Sequence, residues 1–340
     1  MRINHSGGSY EVIATSLESA SQLIASDARV ITDSTVAAVA PQVLKGRAHL
    51  AVSPGEQSKS LETFGEALSW LAQSNATRKT TLVALGGGVV GDLAGFVAAS
   101  YMRGIRFVQI PTTLLAMVDS SVGGKVGIDL SEGKNLAGAF KAPDAVYVPI
   151  ELLRSLPARQ FTNGMAEVLK YGFIMDAPLA ERLRQSTLYP THPGLEHVVM
   201  RCIQLKAEVV EEDEFETTGK RATLNFGHTI GHAIEHAYAY GKILHGEAIA
   251  IGMVLEAQLG EELGITERGT AKVVTEDIAR YGLPTAIDPS LSPRDLINAM
   301  YRDKKASTGS LAFSLLTDVG RCKLVQDVPP DMVESVMARV

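Results

Sequence analysis

The stretch Thr80-Thr-Leu-Val-Ala-Leu-Gly-Gly-Gly-Val-Val-Gly-Asp92 decides the fold. An apolar run of strand length, 80–85, leads directly into a glycine cluster and then into a helical pattern over 92–101. That order is the one expected of a nucleotide-binding strand–turn–helix unit. Gly86, Gly88 and Gly91 satisfy the G-x-G-x-x-G spacing. Glycine in such a turn lets the backbone approach a pyrophosphate, and the N-terminus of the following helix favours its negative charge. Taken alone the motif is weak, because glycine triplets also make plain tight turns. It departs from the standard dinucleotide fingerprint as well: it does not lie in the first strand–helix unit, and the next strand ends at Ile110-Pro111 without the acid that would hold a ribose.

Outward from this unit, strands are predicted at 28–32, ending at Asp33, at 48–52, closed by the polar turn 53–60, and at 105–110, stopped by Pro111. Leu61, Phe64, Leu68 and Leu71 fall at helical spacing over 61–71. Strands alternating with helices imply a mostly parallel sheet covered on both faces, with ligands at the carboxyl ends of its strands. Beyond about residue 152 the periodicity turns helical: 164–173, 194–212, 229–240, 247–263, 268–281 and 293–300. Strand-like runs at 311–316 and 322–325 come before a final helix. The expected architecture is a Rossmann-like, mostly parallel α/β domain over 1–155, followed by a mainly α-helical domain over 156–340, with the active site in the cleft between them.

Composition narrows the function classes. The 340 residues are 46% hydrophobic and 21% charged, the profile of a globular protein, and carry a net charge of −6 with no Lys/Arg block. Nucleic-acid binding through a basic surface is therefore not expected. The two cysteines, Cys202 and Cys322, form no CxxC pair and no disulfide framework. Met1-Arg-Ile-Asn-His-Ser-Gly-Gly8 has no apolar signal core, and no apolar run reaches the roughly 18 residues of a membrane span. A cytoplasmic chain without a membrane partner is the expectation.

Chemistry concentrates in four segments. Four of the eight histidines, His228, His232, His236 and His245, lie within eighteen residues. His228 and His232, four apart, share a helix face and can share a divalent metal if a carboxylate joins them. The bland alternative is that the histidines cap helices or fill polar gaps, but the glycines at 227, 231 and 246 invite a close approach. Glu167 and Lys170 stand three apart in Gly164-Met-Ala-Glu-Val-Leu-Lys-Tyr171. By itself that pair reads as a surface ion pair; beside the histidines it supplies the missing carboxylate. Residues 119–135 contain four glycines, two lysines, an asparagine and three acids, poor material for core or helix, and are expected to form a ligand loop in which Lys125 and Lys134 bind anions. Pro54-Gly-Glu-Gln-Ser-Lys59 is a second polar turn, and as a lone motif an ordinary loop. Lys206 and Arg221 flank an acidic run over 208–216, and 302–305 is basic; solvated charge is the default reading of each.

Together these segments resemble the 3-dehydroquinate synthase family of sugar phosphate cyclases, from about Val30 to about Val325. The resemblance rests on Pro54–Lys59, Gly86–Asp92, Met102-Arg-Gly104, Pro111-Thr-Thr113, and 119–135 in the first half. In the second it rests on 165–170, 224–235 and His245-Gly-Glu247. It implies zinc or cobalt on Glu167, His228 and His245. It implies NAD contacts from Asp33, Glu56, Lys59, Gly86, Gly87, Gly88, Asp92, Thr112, Thr113 and Asp119, with Lys125 and Lys134 at the edge of that set. The substrate would be held by Lys125, Lys134, Asn135, Lys170, Lys206, Arg221, Asn225, His232 and one of Lys304 or Lys305. His232 is the candidate proton shuttle. Arg103 would enter the neighbouring subunit's phosphate site, which implies a homodimer.

The reaction implied takes a phosphorylated sugar acid, 3-deoxy-D-arabino-heptulosonate 7-phosphate, to 3-dehydroquinate and phosphate in the shikimate route to aromatic amino acids. Its steps are transient oxidation by NAD, β-elimination of phosphate, re-reduction, ring opening and intramolecular aldol closure. This chain departs from the family pattern at Thr35, Val126 and Gln160, and by one extra residue between Lys206 and Arg221. An aminodehydroquinate synthase or another sugar phosphate cyclase is the near alternative, and a metal-dependent polyol dehydrogenase the distant one.

Overall fold

The first elements are an antiparallel hairpin, β1 (Arg2–His5) and β2 (Gly8–Ala14), which forms one edge of a seven-stranded sheet. The predicted strands follow as β3 (Arg29–Asp33), β4 (His49–Val52), β5 (Thr81–Gly86) and β6 (Arg106–Pro111). An antiparallel pair, β7 (Lys125–Leu130) and β8 (Gly133–Phe140), stands apart as its own two-stranded sheet, and β9 (Ala145–Val148) returns to the large one. The order is β1-β2-β9-β6-β5-β3-β4, parallel throughout except at β1–β2. Between β3 and β5 the chain reverses its direction of travel across the sheet, because β4 lies on one side of β3 and β5 on the other. Such a switch point opens a crevice at the strands' carboxyl ends, where Asp33 and Gly86 stand.

The computed structural model describes residues 1–238, 242–303 and 311–338. These divide into two compact units, Met1–Phe161 with Tyr189–Glu214, and Thr162–Leu188 with Phe215–Val340. The first holds the large sheet, β7–β8, the short helices α1 (Leu17–Leu23), α2 (Ser34–Val39) and α3 (Pro41–Leu44), and the longer α4 (Leu61–Gln73) and α5 (Gly88–Ser100). The sheet's parallel strands are near-continuous apolar runs because both faces are covered. Ile31, Leu82 and Ala84 face a cluster with α4 and α5, and Val30, Val83 and Leu85 face one with α1 and α3. Helix α6 (Ala158–Met175) crosses the division and α7 (Ala177–Gln185) follows it. α8 (Leu195–Glu212) belongs to the first unit, whereas the sequence reading grouped it with the later helices. Its place is fixed by non-local bonds: Glu211 accepts from the Asn4 backbone amide at 2.6 Å, and Glu214, just beyond the helix, from that of Ser6 at 2.7 Å. Sequence periodicity carries no trace of such pairings.

The second unit contains α9 (His228–Ala237), α10 (His245–Glu262), α11 (Thr270–Arg280), α12 (Pro293–Asp303), the hairpin β10 (Leu311–Asp318) and β11 (Arg321–Val328), and α13 (Pro330–Met337). Its core joins Ile230 and Ile234 of α9 and Ile251 and Leu255 of α10 to Leu296, Phe313 and Val333. Among the described residues no helix is long and apolar enough to cross a membrane.

The segment 119–135, expected to be a loop, is largely ordered. It begins in a π-helical turn, Ala116–Ser120, and continues through β7 into β8. Gly123 and Gly124 do form a turn, with φ of 103° and 67°, whereas Gly127, and Gly138 beyond the segment, are places of close strand approach. A Cβ on Gly127 would lie 2.8 Å from Ala137 O, and one on Gly138 would lie 2.4 Å from Val126 O. Val126 and Ile128 are buried on the inner face of the hairpin with α5. The valine at 126 is therefore a core residue, packed on Gly95, where a Cβ would stand 2.3 Å from Val126 Cγ1 and 3.1 Å from Phe107 Cε1. Gly95→Ala should therefore lower stability by about 1–3 kcal/mol through overpacking, read from urea unfolding, with Val126→Ala in the same chain recovering part of the loss. Unchanged stability in the single variant would contradict this packing.

Candidate active site

In the first unit the sequence-predicted residues gather at the carboxyl ends of adjacent strands. Helix α5 starts at Gly88, earlier than its apolar pattern suggests, with Gly87 as its N-cap and no side chain bonded to its first-turn amides. A Cβ on Gly87 would lie 3.2 Å from Thr113 Cγ2, and one on Gly88 would lie 3.0 Å from Ser120 Oγ, so any side chain here would close the gap beside the turn. An uncapped helix N-terminus behind a bare turn fits the phosphates of a dinucleotide. Thr112 is buried and its amide donates to Gly86 O at 2.9 Å; Thr113 Oγ1 accepts from Ala116 N. Asp33, at the end of β3, is the N-cap of α2: its Oδ1 accepts from the amides of Thr35 and Val36, both at 2.9 Å. Residue 35 thus meets Asp33 through its backbone, which any residue type supplies.

Lys59 organises the polar end of this unit. It is 4% exposed, and its Nζ lies 2.9 Å from Asp92, 2.5 Å from Asn135 Oδ1, 3.8 Å from Glu56 and 4.0 Å from Asp129. Lys134 lies 3.5 Å from Glu56. Asn135, in a left-handed conformation at φ 54°, is fixed by its amide donating to Asp129 Oδ1, while Asp129 N donates to Lys59 O at 2.7 Å. The structure therefore joins Lys59 and Asp92, expected at NAD, to Asn135, expected at substrate, and brings Lys134, expected at both, to Glu56. Lys206 repeats the pattern: it is buried, not a solvated charge, and its Nζ donates to both Asp119 O and Asp119 Oδ1 at 2.7 Å. Lys125 is exposed at the start of β7. Arg103 is exposed too, in a strained turn where Met102, Arg103 and Gly104 all have positive φ of 49°, 68° and 118°.

In the second unit three helices bring Glu167, His228 and His245 together. Glu167 is fully buried on α6, and neither carboxylate oxygen makes a hydrogen bond of ordinary geometry. Lys170 Nζ is 2.5 Å from Oε2; the Nε2 atoms of His228 and His245 are 3.4 and 3.5 Å from Oε1. Each histidine is oriented from behind: His228 Nδ1 lies 3.2 Å from Phe226 O, and His245 Nδ1 lies 3.2 Å from Glu235 Oε2. An imidazole that donates from Nδ1 presents a lone pair at Nε2. Burial, then the Lys170 charge, holds His228 well below its usual titration range, so it is neutral. Burial also opposes charge on His245, but the two carboxylates of Glu167 and Glu235 outweigh it and push this group up to about 10. Burial alone would raise Glu167 too, yet Lys170 and the histidines hold it well below the carboxylate range. The pocket is thus an anion set in low dielectric that draws in positive charge. One carboxylate short of hydrogen bonds and two imidazoles, their ligand atoms all within 4.8 Å of one another, fit a divalent ion.

The close approach that the glycines at 227, 231 and 246 promise is made by neighbouring helices. A Cβ on Gly227 would stand 2.4 Å from Met253 Cγ, on Gly231 2.8 Å from Ile249 Cδ1, and on Gly246 1.9 Å from Asn163 O. His232 is exposed on α9, its ring 5.3 Å from that of His228 and 6.1 Å from that of His245. Arg221 is buried with its Nε 3.5 Å from Glu216, and Asn225 is exposed at the end of the same 3₁₀ turn. Lys304 and Lys305 lie outside the described residues. A surface cavity of about 450 Å³ beside Tyr238, Lys242 and Pro284 contains none of the expected site residues. Sequence reasoning gave no role to Asp129, Asn163, Glu235 or Glu256. Helical spacing could have flagged three of them: Asn163 is four before Glu167, Glu235 seven after His228, and Glu256 eleven after His245, each on the face of its metal-ligand candidate.

The fold is that of α/β-plus-helical enzymes, sugar phosphate cyclases among them. A 2-epi-5-epi-valiolone synthase from Streptomyces hygroscopicus subsp. jinggangensis 5008, solved with NAD+ and Zn2+ bound, superposes with a TM-score of 0.90 at 26% identity, covering 97% of this chain and 96% of that one. A 2-deoxy-scyllo-inosose synthase complexed with carbaglucose-6-phosphate, NAD+ and Co2+ gives 0.86 at 27% identity, covering 100% and 99%. Residues 49–163 match the 3-dehydroquinate synthase N-terminal family and 164–306 the 3-dehydroquinate synthase C-terminal family. A 3-dehydroquinate synthase from Opitutus terrae is 47% identical over 319 residues, 92% of this chain and 88% of that protein. The chain belongs to the 3-dehydroquinate synthase family.

The Lys59–Asp92 pair yields a pH-dependent stability test. Burial raises Asp92 and Lys59 pulls it partly back. Breaking a fully buried pair costs about 3–5 kcal/mol; with Asp92 22% exposed, Lys59→Met should cost nearer about 2 kcal/mol at pH 7. Without the lysine Asp92 rises further above its unfolded value, so stability is retained while it is protonated and lost as pH climbs through its titration. Urea unfolding should accordingly show a smaller loss at pH 5 than at pH 7; an equal loss at both would contradict the pairing.

Proposed function

We propose that this chain converts 3-deoxy-D-arabino-heptulosonate 7-phosphate to 3-dehydroquinate and phosphate with NAD and a divalent metal, in the cytoplasm and as a homodimer. The observation that carries the reading is the buried Glu167 carboxylate, short of hydrogen bonds and faced by His228 and His245, in a chain of this family. Glu167 and the two Nε2 atoms would hold the metal. The 86–88 turn, Asp33, Glu56, Lys59, Asp92, Thr112, Thr113 and Asp119 would hold NAD, which assigns the cofactor to the α/β part, 1–155, and the metal to the helical part, 156–340. When bound, NAD takes up and later returns one hydride, and the metal polarises the oxygen being oxidised.

The remaining work falls to the chain's own side chains. Lys125, Lys134 and Asn135 bind phosphate and carboxylate oxygens in the first unit; the bonds of Asn135 to Lys59 and Asp129 support its preorganisation. Lys206, held by Asp119, presents its charge without the entropy loss of a free lysine. Lys170, Arg221, Asn225 and one of Lys304 or Lys305 orient the substrate in the second unit. Exposed His232, beside the His228 ring, takes the proton of the hydroxyl that is oxidised. The strained Met102-Arg-Gly104 turn supports a dedicated role for Arg103, and we assign it to the phosphate site of a second copy of the chain.

With catalytic NAD and zinc, one phosphate should be released per substrate without net NADH. Chelation should abolish turnover and zinc or cobalt restore it. NADH accumulating in step with product would mean a dehydrogenase, and full activity in metal-free protein would exclude the metal assignment. Arg103→Ala mixed with Lys125→Ala should regain activity in hybrid dimers, since each hybrid has one intact shared site; absence of complementation counts against Arg103 acting in trans.

A further inference from the structure

The helix starts that bear His228 and His245 are each tied to another of the three helices carrying Glu167, His228 and His245, and one buried side chain makes each tie. Helix α9 has Gly227 as its N-cap, at φ 82°, and no side chain of its own segment caps it. The missing acceptor comes from α10: Glu256, 0% exposed, takes the Gly227 amide at 2.6 Å on Oε2 and the Ile230 amide at 3.2 Å on Oε1. The residue between these two amides and adjacent to the first is His228. Helix α10 is capped the same way from α6: Asn163, 5% exposed, accepts the Gly246 amide at 2.6 Å on Oδ1, one residue after His245. Asn163 lies one turn before Glu167 on α6, so the bond ties the carboxylate's helix directly to His245. The backbones are forced to these positions, since a Cβ on Gly252 would lie 1.9 Å from Gly227 O and one on Gly246 1.9 Å from Asn163 O.

We infer that Asn163 and Glu256 are positioning residues for the metal centre, acting on His245 and His228 through the first-turn amides of α10 and α9. At α9 the bond stands where a local cap is missing; at α10 it adds to the local bond in which Glu247 Oε2 accepts from the Leu244 amide at 2.9 Å. A local cap would fix a helix end; a cap supplied by another ligand-bearing helix fixes the distance between ligands. This rests on Glu167, His228 and His245 holding the metal. Loosening such outer contacts weakens metal affinity by about 10–100-fold.

The experiment loads the full chain with cobalt and records its visible absorption spectrum together with the dissociation constant, measured by competition with a chromogenic chelator. Glu256→Gln and Asn163→Ala should each weaken cobalt binding about 10-fold or more and shift the spectrum. Gly95→Ala, a destabilised variant in the other unit, should leave both unchanged, which separates positioning from general loss of stability. Asn163→Ala removes a single bond and carries the test should Glu256→Gln fail to fold. Wild-type affinity and spectrum in the folded variants would overturn the inference. Glu167→Ala separates the two levels: cobalt bound as tightly as in wild type would sink the metal-site reading itself, whereas lost binding there with unaltered Asn163 and Glu256 variants would sink only the positioning role.

Discussion

A carboxylate buried as completely as that of Glu167 is tolerable only beside positive charge, and the second unit is arranged around that constraint. Lys170 approaches from the same helix, one histidine is kept neutral with its lone pair turned inward, and the other is drawn towards its charged form between two carboxylates. Glycines at 227, 231, 246 and 252 serve the same end, because only a backbone without Cβ lets α6, α9 and α10 come close enough for three side chains to converge. A conventional ion pair would have needed Lys170 alone. Two further imidazoles converging on the same oxygen, each oriented from behind, make the site suited to a divalent cation.

The first unit solves a different problem, that of placing several lysines close together without leaving buried charge uncompensated. Its lysines alternate with acids: Lys59 with Asp92 and Glu56, Lys134 with Glu56, and Lys206 with Asp119. Each pair is internally compensated, so no lysine charge among them is buried without an acid beside it. The amides at the start of α5 remain as a source of positive potential suited to an anion. Asn135 links this charge cluster to the β7–β8 hairpin, which explains why a polar, glycine-rich stretch is nonetheless ordered.

The parallel strands β3 to β6 were legible because their apolar runs are short, unbroken and stopped by Asp, Pro or Gly, and most long helices of the second unit were legible from their period. The histidine–glycine cluster was visible as a concentration of unusual residues. What the sequence could not show depends on non-local partners. The β7–β8 hairpin hides behind glycines, of which Gly127 and Gly138 serve strand contact, and α8 bonds through Glu211, and Glu214 just beyond it, to residues some two hundred positions away. Helical spacing places Asn163 and Glu256 on the faces of Glu167 and His245, but the amides they cap belong to other helices, and that pairing is non-local.

Anomalous scattering at the zinc absorption edge from crystals of the zinc-loaded protein tests the account most directly. One strong peak is predicted within coordination distance of a Glu167 carboxylate oxygen and the Nε2 atoms of His228 and His245. A peak held by other residues, or none at this point in protein that retains stoichiometric zinc, would contradict it.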